Sequence, residues 1–302
     1  MEESTFILSN PRLERVRTSL ICPACRGELV FAGTGAKCTE CAAAYPLRGG
    51  KLFFLPLSGD SVDLMDQIKE RMKRKLGKWY YRIGVDLLSP NYPFDYAAAV
   101  RKVLDPARQL VIDVGAGNNR VDEHILCLDM FDYGAVDIVC DVANLPFRDA
   151  SIDGCVSRSM LEHVPMPERV VAEFYRVTRQ GGTGVHLIPF MMPFHASPYD
   201  FQRYTHKGAA LLFEGWKLLE QYAPTGPFSL LTNIVVEFVS IALSFGNGRV
   251  KAILYFLSCL LFFPLKFLDA PFVRRPAFLT LAPSILSVVR KPIDAFEATA
   301  KN

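Results

Sequence analysis

The run Val111-Ile-Asp-Val-Gly-Ala-Gly117 constrains this chain more than any other feature. An apolar stretch ends abruptly in two glycines one residue apart. That is a buried strand entering a tight turn, where bare backbone lets a ligand lie against main-chain atoms. Further apolar runs follow at 125–130, 135–140, 154–157 and 184–188. Over 168–178, Val170, Val171, Phe174 and Val177 fall at helical spacing, and Gly181-Gly182 reads as the stop of that helix. A helix over 206–213, a strand over 216–221 and a last antiparallel strand over 283–290 complete the pattern. Strands separated by helices predict an α/β fold, a doubly wound, mostly parallel sheet of seven strands.

One interval breaks the pattern. Only seven residues separate Gly117 from the second strand. An ordinary crossover helix needs more, so Arg120–Glu123 is expected as a loop or a single turn. Acids then mark the strand ends: Asp113, Asp129 and Asp141. A carboxylate at the end of the second strand can accept both hydroxyls of a ribose. Each acid alone could equally be a loop or cap residue, and Gly-x-Gly alone could open a nicotinamide or flavin site. All three acids on one crevice edge favour a nucleoside ligand.

Further motifs follow in order: Ser151-Ile-Asp-Gly-Cys-Val156, Leu161-Glu-His-Val164 and Arg176-Val-Thr-Arg-Gln-Gly-Gly182. With them, residues 94–205 closely resemble the class I, Rossmann-like S-adenosylmethionine-dependent methyltransferases. The resemblance implies S-adenosylmethionine as cofactor and a set of contacts. Gly115, Ala116 and Gly117 would line its methionine part, with Asp113 beside them. Asp129, followed by Met130, would bind the ribose. Asp141 and the backbone of Val142 would meet the adenine edge, and Ser157 would lie near the sulfonium. The chain departs from the family in placing Asn119 where a third glycine is usual.

Eight cysteines fall into two groups. Cys127, Cys140, Cys155 and Cys259 are isolated, which fits buried thiols in a reducing compartment. Cys22, Cys25, Cys38 and Cys41 form two Cys-x-x-Cys pairs twelve residues apart. Four thiolates at that spacing can close a tetrahedron around one zinc ion with no coordination position left open. So short a segment cannot bury its own core, so the ion would supply the folding free energy. The pairs, together with Tyr45-Pro-Leu-Arg-Gly-Gly50, make residues 18–57 resemble the small zinc-ribbon proteins that activate tRNA, rRNA and protein methyltransferases. The resemblance implies a module that binds a protein partner, fused here in cis.

Methyl transfer is an in-line displacement, driven largely by positioning, with a base needed only if the acceptor must lose a proton. His163 and His195 are the candidate catalytic residues. His195 lies in Pro189-Phe-Met-Met-Pro-Phe-His-Ala-Ser-Pro-Tyr-Asp-Phe-Gln-Arg-Tyr204, where the resemblance places substrate-binding elements. His195, Asp200, Arg203 and Tyr204 are the candidate acceptor contacts. A purely structural role remains open for both histidines.

The mean hydropathy is +0.18, and the excess sits late in the chain. Phe228–Phe245 and Ala252–Phe267 are two apolar stretches, each short for a bilayer span of about 20 residues. They predict a helical hairpin lying on or dipping into a membrane, or else a core or dimer contact. Residues 61–82 read as a polar helix whose basic run, 69–82, suits anionic headgroups, RNA phosphates or simply water. The expected organisation is a zinc ribbon at 18–57, a basic linker at 58–93, a catalytic core at 94–227, an apolar insertion at 228–275, and a final strand and tail at 276–302. No basic segment leads an apolar run at the N-terminus, so the expected location is cytoplasmic, either free or peripheral on the inner membrane face. The leading expectation is methylation of a small-molecule or lipid-linked acceptor there. An RNA methyltransferase using ribbon and basic helix to hold RNA is the alternative, and a non-catalytic scaffold is the third reading.

Overall fold

A computed structural model describes residues 8–56, 71–72, 75–77, 79–195 and 199–293. The expected basic helix at 61–82 lies largely outside the described residues. At its end, Tyr80–Leu87 forms a wide helical segment.

The seven-stranded core forms as expected. Its strands are β5 (Val111–Val114), β6 (Leu126–Asp129), β7 (Ile138–Val139), β8 (Ile152–Arg158), β9 (Thr178–Pro189), β10 (Lys217–Tyr222) and β11 (Ser284–Arg290). They lie in the order β7-β6-β5-β8-β9-β11-β10. All neighbouring pairs from β7 to β9 are parallel, and β11 runs antiparallel to both β9 and β10. β5 is buried along its whole length, because helical layers cover both faces of a doubly wound sheet. α2 (Tyr96–Arg101) supplies Tyr96 and Val100 to one face. α3 (Pro167–Val177) covers the other with Val170, Val171, Phe174 and Val177. α4 (His206–Leu212) follows β9.

The ribbon is not a bead in front of this core. Its strands β1 (Leu29–Ala32), β2 (Gly35–Cys38), β3 (Ala44–Arg48) and β4 (Lys51–Phe53) continue the sheet, giving eleven strands. β4 pairs in parallel with β7, Leu52 opposite Ile138 and Phe53 opposite Val139. The ribbon therefore protects what would otherwise be an exposed core edge. Its apolar residues Cys22, Phe31, Tyr45 and Leu52 join the same core as Ile112 and Leu128.

Two boundaries differ from the sequence reading. The helix before β9 stops at Val177, and β9 begins directly at Thr178, so Gly181-Gly182 lies inside a strand and not at a helix end. The glycines serve a tight irregularity there. Gly181 takes φ +75°, and a Cβ on Gly182 would sit 2.8 Å from the Asp153 carbonyl. The apolar stretches also shift. They form α5 (Pro227–Ala242) and α6 (Gly248–Phe262), and α6 runs on as a tighter turn to Asp269. The continuous helix Gly248–Asp269 has 22 residues, long and apolar enough to cross a membrane by length and composition alone. The hairpin is closed by fully buried Asp269, whose carboxylate accepts from the backbone N–H groups of Gly226, Phe228 and Ser229 at 2.8–3.0 Å. Those N–H groups are the unpaired donors of the first turn of α5, where a carboxylate is favoured.

The interval after β5 holds no helix between Gly115 and Ile125, as expected. An unforeseen salt-bridged network fills it. Asp137, 2% exposed, accepts from Arg12 and Arg120 and from the backbone N–H of Cys127. Arg12 belongs to the short helix α1 (Pro11–Val16), so the N-terminus braces a connection that lacks its own helix. The two guanidiniums hold the Asp137 carboxyl below its ordinary range despite burial.

Candidate active site at the carboxyl edge of the sheet

The carboxyl ends of β5, β6, β7, β8 and β9 share one edge, where ligands of such sheets bind. At the end of β5 the chain turns through Gly115 (φ +72°) and Gly117 (φ +57°). The two glycines differ in purpose. A Cβ on Gly115 would strike the Met160 side chain at 2.1 Å, whereas one on Gly117 would meet nothing within 4 Å. Gly115 answers a close approach, and Gly117 leaves open space beside a left-handed backbone.

Asp129, 7% exposed, ends β6 and ties the turn down. Its carboxylate accepts from the N–H of Gly117 and from the N–H of Phe131, each at 3.0 Å. Asp113 is buried, and its Oδ1 has no hydrogen-bond partner. Burial pushes its carboxyl up to about 7, against the pull of Arg158. Asp141 is exposed two residues beyond β7 and accepts from the Ala143 N–H at 2.9 Å, while Val142 beside it is buried. Ala116 is buried within the turn, and Met130 is exposed beyond β6.

These residues fit S-adenosylmethionine. An orphaned carboxylate at the glycine turn suits an ammonium group, open space lies at Gly117, and a second carboxylate ends the next strand. Ser157, placed near the sulfonium by the resemblance, has a buried side chain here. Its hydroxyl is 1% exposed and pairs with Nδ1 of His186 at 2.9 Å, inside the layer under α3 and not toward the turn. Alternation along β8 decides this, since Ser157 and Cys155 share one face. His186 is stacked between Phe174 and Phe213, at centroid distances of 5.2 and 4.6 Å. Burial pushes it down to about 3, so it stays a neutral core residue.

Beyond β8, Leu161–His163 makes one tight turn that brings His163 to the edge. His195 comes to the same place from the segment after β9, with the two rings 5.3 Å apart and perpendicular. Between them sits Glu162, fully buried, with neither carboxylate oxygen hydrogen-bonded. Sequence reasoning passed over Glu162, although its place next to His163 was the available signal. The Glu162 carboxylate raises His195 above an ordinary imidazole.

The other acceptor-side candidates are engaged within their own segment. The Asp200 carboxylate is paired with Arg203 and accepts from the His195 N–H at 2.8 Å. Arg203 also donates to the carbonyls of Met192 and Pro193. The Tyr204 hydroxyl donates to Gln202 at 2.5 Å, and its ring packs on the core. Asp200 and Arg203 therefore hold the turn that presents His195.

A family description reading "Methyltransferase domain" matches residues 112–185. This part of the chain is similar to methyltransferase domains. An uncharacterized methyltransferase of Mycobacterium sp. strain KMS is 52% identical over 42 residues, 14% of this chain and 17% of that protein. Another, from Mycobacterium avium strain 104, is 54% identical over 41 residues, 14% of this chain and 16% of that protein. The chain thus spans 16–17% of the length of these curated relatives. Among solved structures, the cyclase SpnF aligns with TM-score 0.45 at 15% identity, covering 78% of this chain and 100% of that one. A Haloferax volcanii complex between a methyltransferase activator and a methyltransferase aligns with TM-score 0.42 at 16% identity, covering 77% and 100%. These are likenesses in fold.

At the ribbon, the four thiols also come together. Cys22 Sγ lies 3.6 Å from Cys41 Sγ, and Cys25 Sγ lies 3.4 Å from Cys38 Sγ. Zinc–sulfur bonds of about 2.3 Å set a tetrahedral edge near 3.8 Å. The donor set fits a structural zinc ion, and the Tyr45 hydroxyl, 3.0 Å from Cys22 Sγ, supports it from behind.

Proposed function

We propose that this protein transfers a methyl group from S-adenosylmethionine to a small-molecule or lipid-linked acceptor at a membrane surface. One observation carries the acceptor class: the apolar hairpin leaves and re-enters the sheet at the edge that holds the site. β10 is parallel to β9, since each is antiparallel to β11. The end of β10 at Tyr222 and the start of β11 at Ser284 therefore lie at the same edge as Pro189, which is the partner of Ser284. The Phe190 N–H even donates to the Pro283 carbonyl at 2.8 Å, joining the His195 segment to the end of the insertion.

The hairpin presents an exposed apolar face. Leu231, Phe238, Ile241, Phe245, Leu257 and Leu261 are 49–92% exposed. So much clustered apolar surface is costly in water and marks a contact with lipid or protein. Both helices carry exposed apolar residues, with a Lys251–Glu237 ion pair at 2.6 Å between the helices. A lipid-linked acceptor held in the same surface would be delivered directly to the site edge. Within the domain, Asp113, Asp129 and the glycine turn hold the cofactor, and the His195 segment shapes the acceptor side. S-Adenosylmethionine supplies an electrophilic methyl group when bound. Transfer then needs chiefly positioning and exclusion of water.

The test pairs liposome flotation with methyl-label transfer from S-adenosylmethionine into lipid, RNA and protein fractions. Label in lipid together with flotation supports the proposal. Label in RNA, or a freely soluble monomer without detergent, sinks it. Replacing Phe238 and Leu261, 68% and 69% exposed, by glutamate should cut liposome affinity at least tenfold, since each buried large side chain contributes about 1.5–3 kcal/mol.

A further inference from the structure

Glu162 poses a physical problem. Its side chain is 0% exposed and neither oxygen has a hydrogen-bond partner among the described residues. An isolated buried carboxylate costs several kcal/mol unless a cation compensates it. Among the described residues, two imidazole nitrogens lie within 4 Å of it. Nε2 of His163 is 3.7 Å from Oε1, and Nε2 of His195 is 3.8 Å from the same oxygen. Those distances are too long for direct hydrogen bonds.

The far side of each ring fixes what these nitrogens carry. Nδ1 of His163 lies 2.5 Å from the Tyr199 carbonyl oxygen, so it must be the protonated, donating nitrogen. Nδ1 of His195 lies 3.2 Å from the Pro193 carbonyl oxygen, with Asp200 Oδ2 at 3.7 Å behind it. The Arg203 guanidinium is farther, at 3.4 Å, and is already engaged with Asp200 and the Pro193 carbonyl. Both rings thus carry N–H at Nδ1 and turn Nε2 toward the carboxylate. Glu162, His163 and His195 bring three potential ligand atoms within 4.8 Å of one another.

We propose that Glu162, His163 and His195 bind a divalent first-row metal ion at the edge of the methyltransferase site. Carbonyl-anchored histidines with free Nε2 atoms are how proteins preset imidazole for a metal. Metal bonds of about 2.0–2.2 Å require the donor atoms to draw in by roughly half an ångström, which the half-exposed His195 permits. Two nitrogens and a carboxylate suit zinc, iron(II) or manganese better than calcium, which takes oxygen ligands. Three protein donors leave coordination positions open, in contrast to the four thiolates of the ribbon. There an oxygen or nitrogen ligand of the acceptor could be oriented and its proton made easier to lose. This role for the ion rests on the methyl-transfer reading; its binding does not.

The experiment uses the full chain with zinc in the ribbon, titrated with cobalt(II) and followed by absorption and elemental analysis. Cobalt bound by nitrogen and oxygen gives weak visible bands without the intense thiolate charge-transfer band, so ribbon exchange is read separately. The expected result is one zinc and one cobalt per chain. His195→Ala, at a partly exposed position, and Glu162→Gln should each weaken cobalt binding at least tenfold. Absence of the nitrogen–oxygen cobalt spectrum in the native chain overturns the inference. So does a folded His195→Ala protein that keeps it. Calorimetry with S-adenosylmethionine on the same samples tests the methyltransferase reading independently: cofactor binding without cobalt binding rejects the metal site alone.

Discussion

The ribbon and the β8–β9 edge each gather metal-ligating side chains, and they do so by opposite means. In the ribbon, four thiols come from two short turns and sit at the end of an eleven-stranded sheet. Their donor set is closed, and its neighbours are core residues such as Phe31 and Tyr45. At the edge, Glu162 and His163 come from a turn after β8, and His195 comes from a segment after β9. Their donor set is open, and its neighbours are the carbonyls of Tyr199 and Pro193. A closed set of soft ligands can contribute only to folding. An open set of nitrogen and oxygen ligands can also contribute to chemistry. On the proposed reading, the ribbon would serve the stability of the sheet and the edge its activity.

The largest effect should come from the ribbon. Cys38→Ser, or removal of the ion by a strong chelator, should cost several kcal/mol and lower Tm by about 10 °C or more. Because β4 pairs with β7, the loss should spread into the core edge and promote aggregation. Calorimetric melting with light scattering measures it. An unchanged core melt would mean that the ribbon is a separate bead after all.

Next comes the cofactor turn. Asp129→Ala removes the acceptor of two backbone N–H groups and the carboxylate at the ribose position. Charge-assisted hydrogen bonds contribute about 1.5–3 kcal/mol each, so cofactor affinity should fall about 100-fold by titration calorimetry. Retained affinity would detach the nucleoside reading from β6.

His195→Ala should sharpen the contrast with the ribbon. Its side chain is 42% exposed, so Tm should move by less than about 2 °C. Methyl transfer into the lipid fraction should nevertheless fall about tenfold. A large Tm loss with full transfer would assign the edge cluster to stability instead.

The smallest effect is a pH dependence. Asp113 is raised to about 7 by burial. Folding with a raised carboxyl pKa means that ionisation is disfavoured in the native chain, so stability falls as pH rises from the unfolded value of about 4 toward 7. A cationic cofactor favours the ionised carboxylate, so its affinity should rise a few-fold from pH 6 to 8. Asp113→Asn should flatten that rise in calorimetric titrations. A flat native profile would remove Asp113 from the cofactor site.

Much of this molecule was readable in its residues. The strand–glycine turn, the acids at the end of β6 and just beyond β7, the missing crossover helix and the four-cysteine cluster all depend on short spacings along the chain. Local geometry fixes such features, and any fold must respect them. Ser157, Gly181 and Glu162 were misread or missed for the opposite reason. The first two depend on which sheet face or irregularity a residue meets, and register decides that.

Only the tertiary structure joined β4 to β7, bound Arg12 to Asp137 across 125 residues, and set His195 beside Glu162. The sequence by itself determined the turn that fits a nucleoside and the ribbon that fits zinc, because their ligands are near neighbours in the chain. Contacts between distant segments depend instead on how strands pair and which side chains share one buried volume. No spacing along the chain encodes that directly.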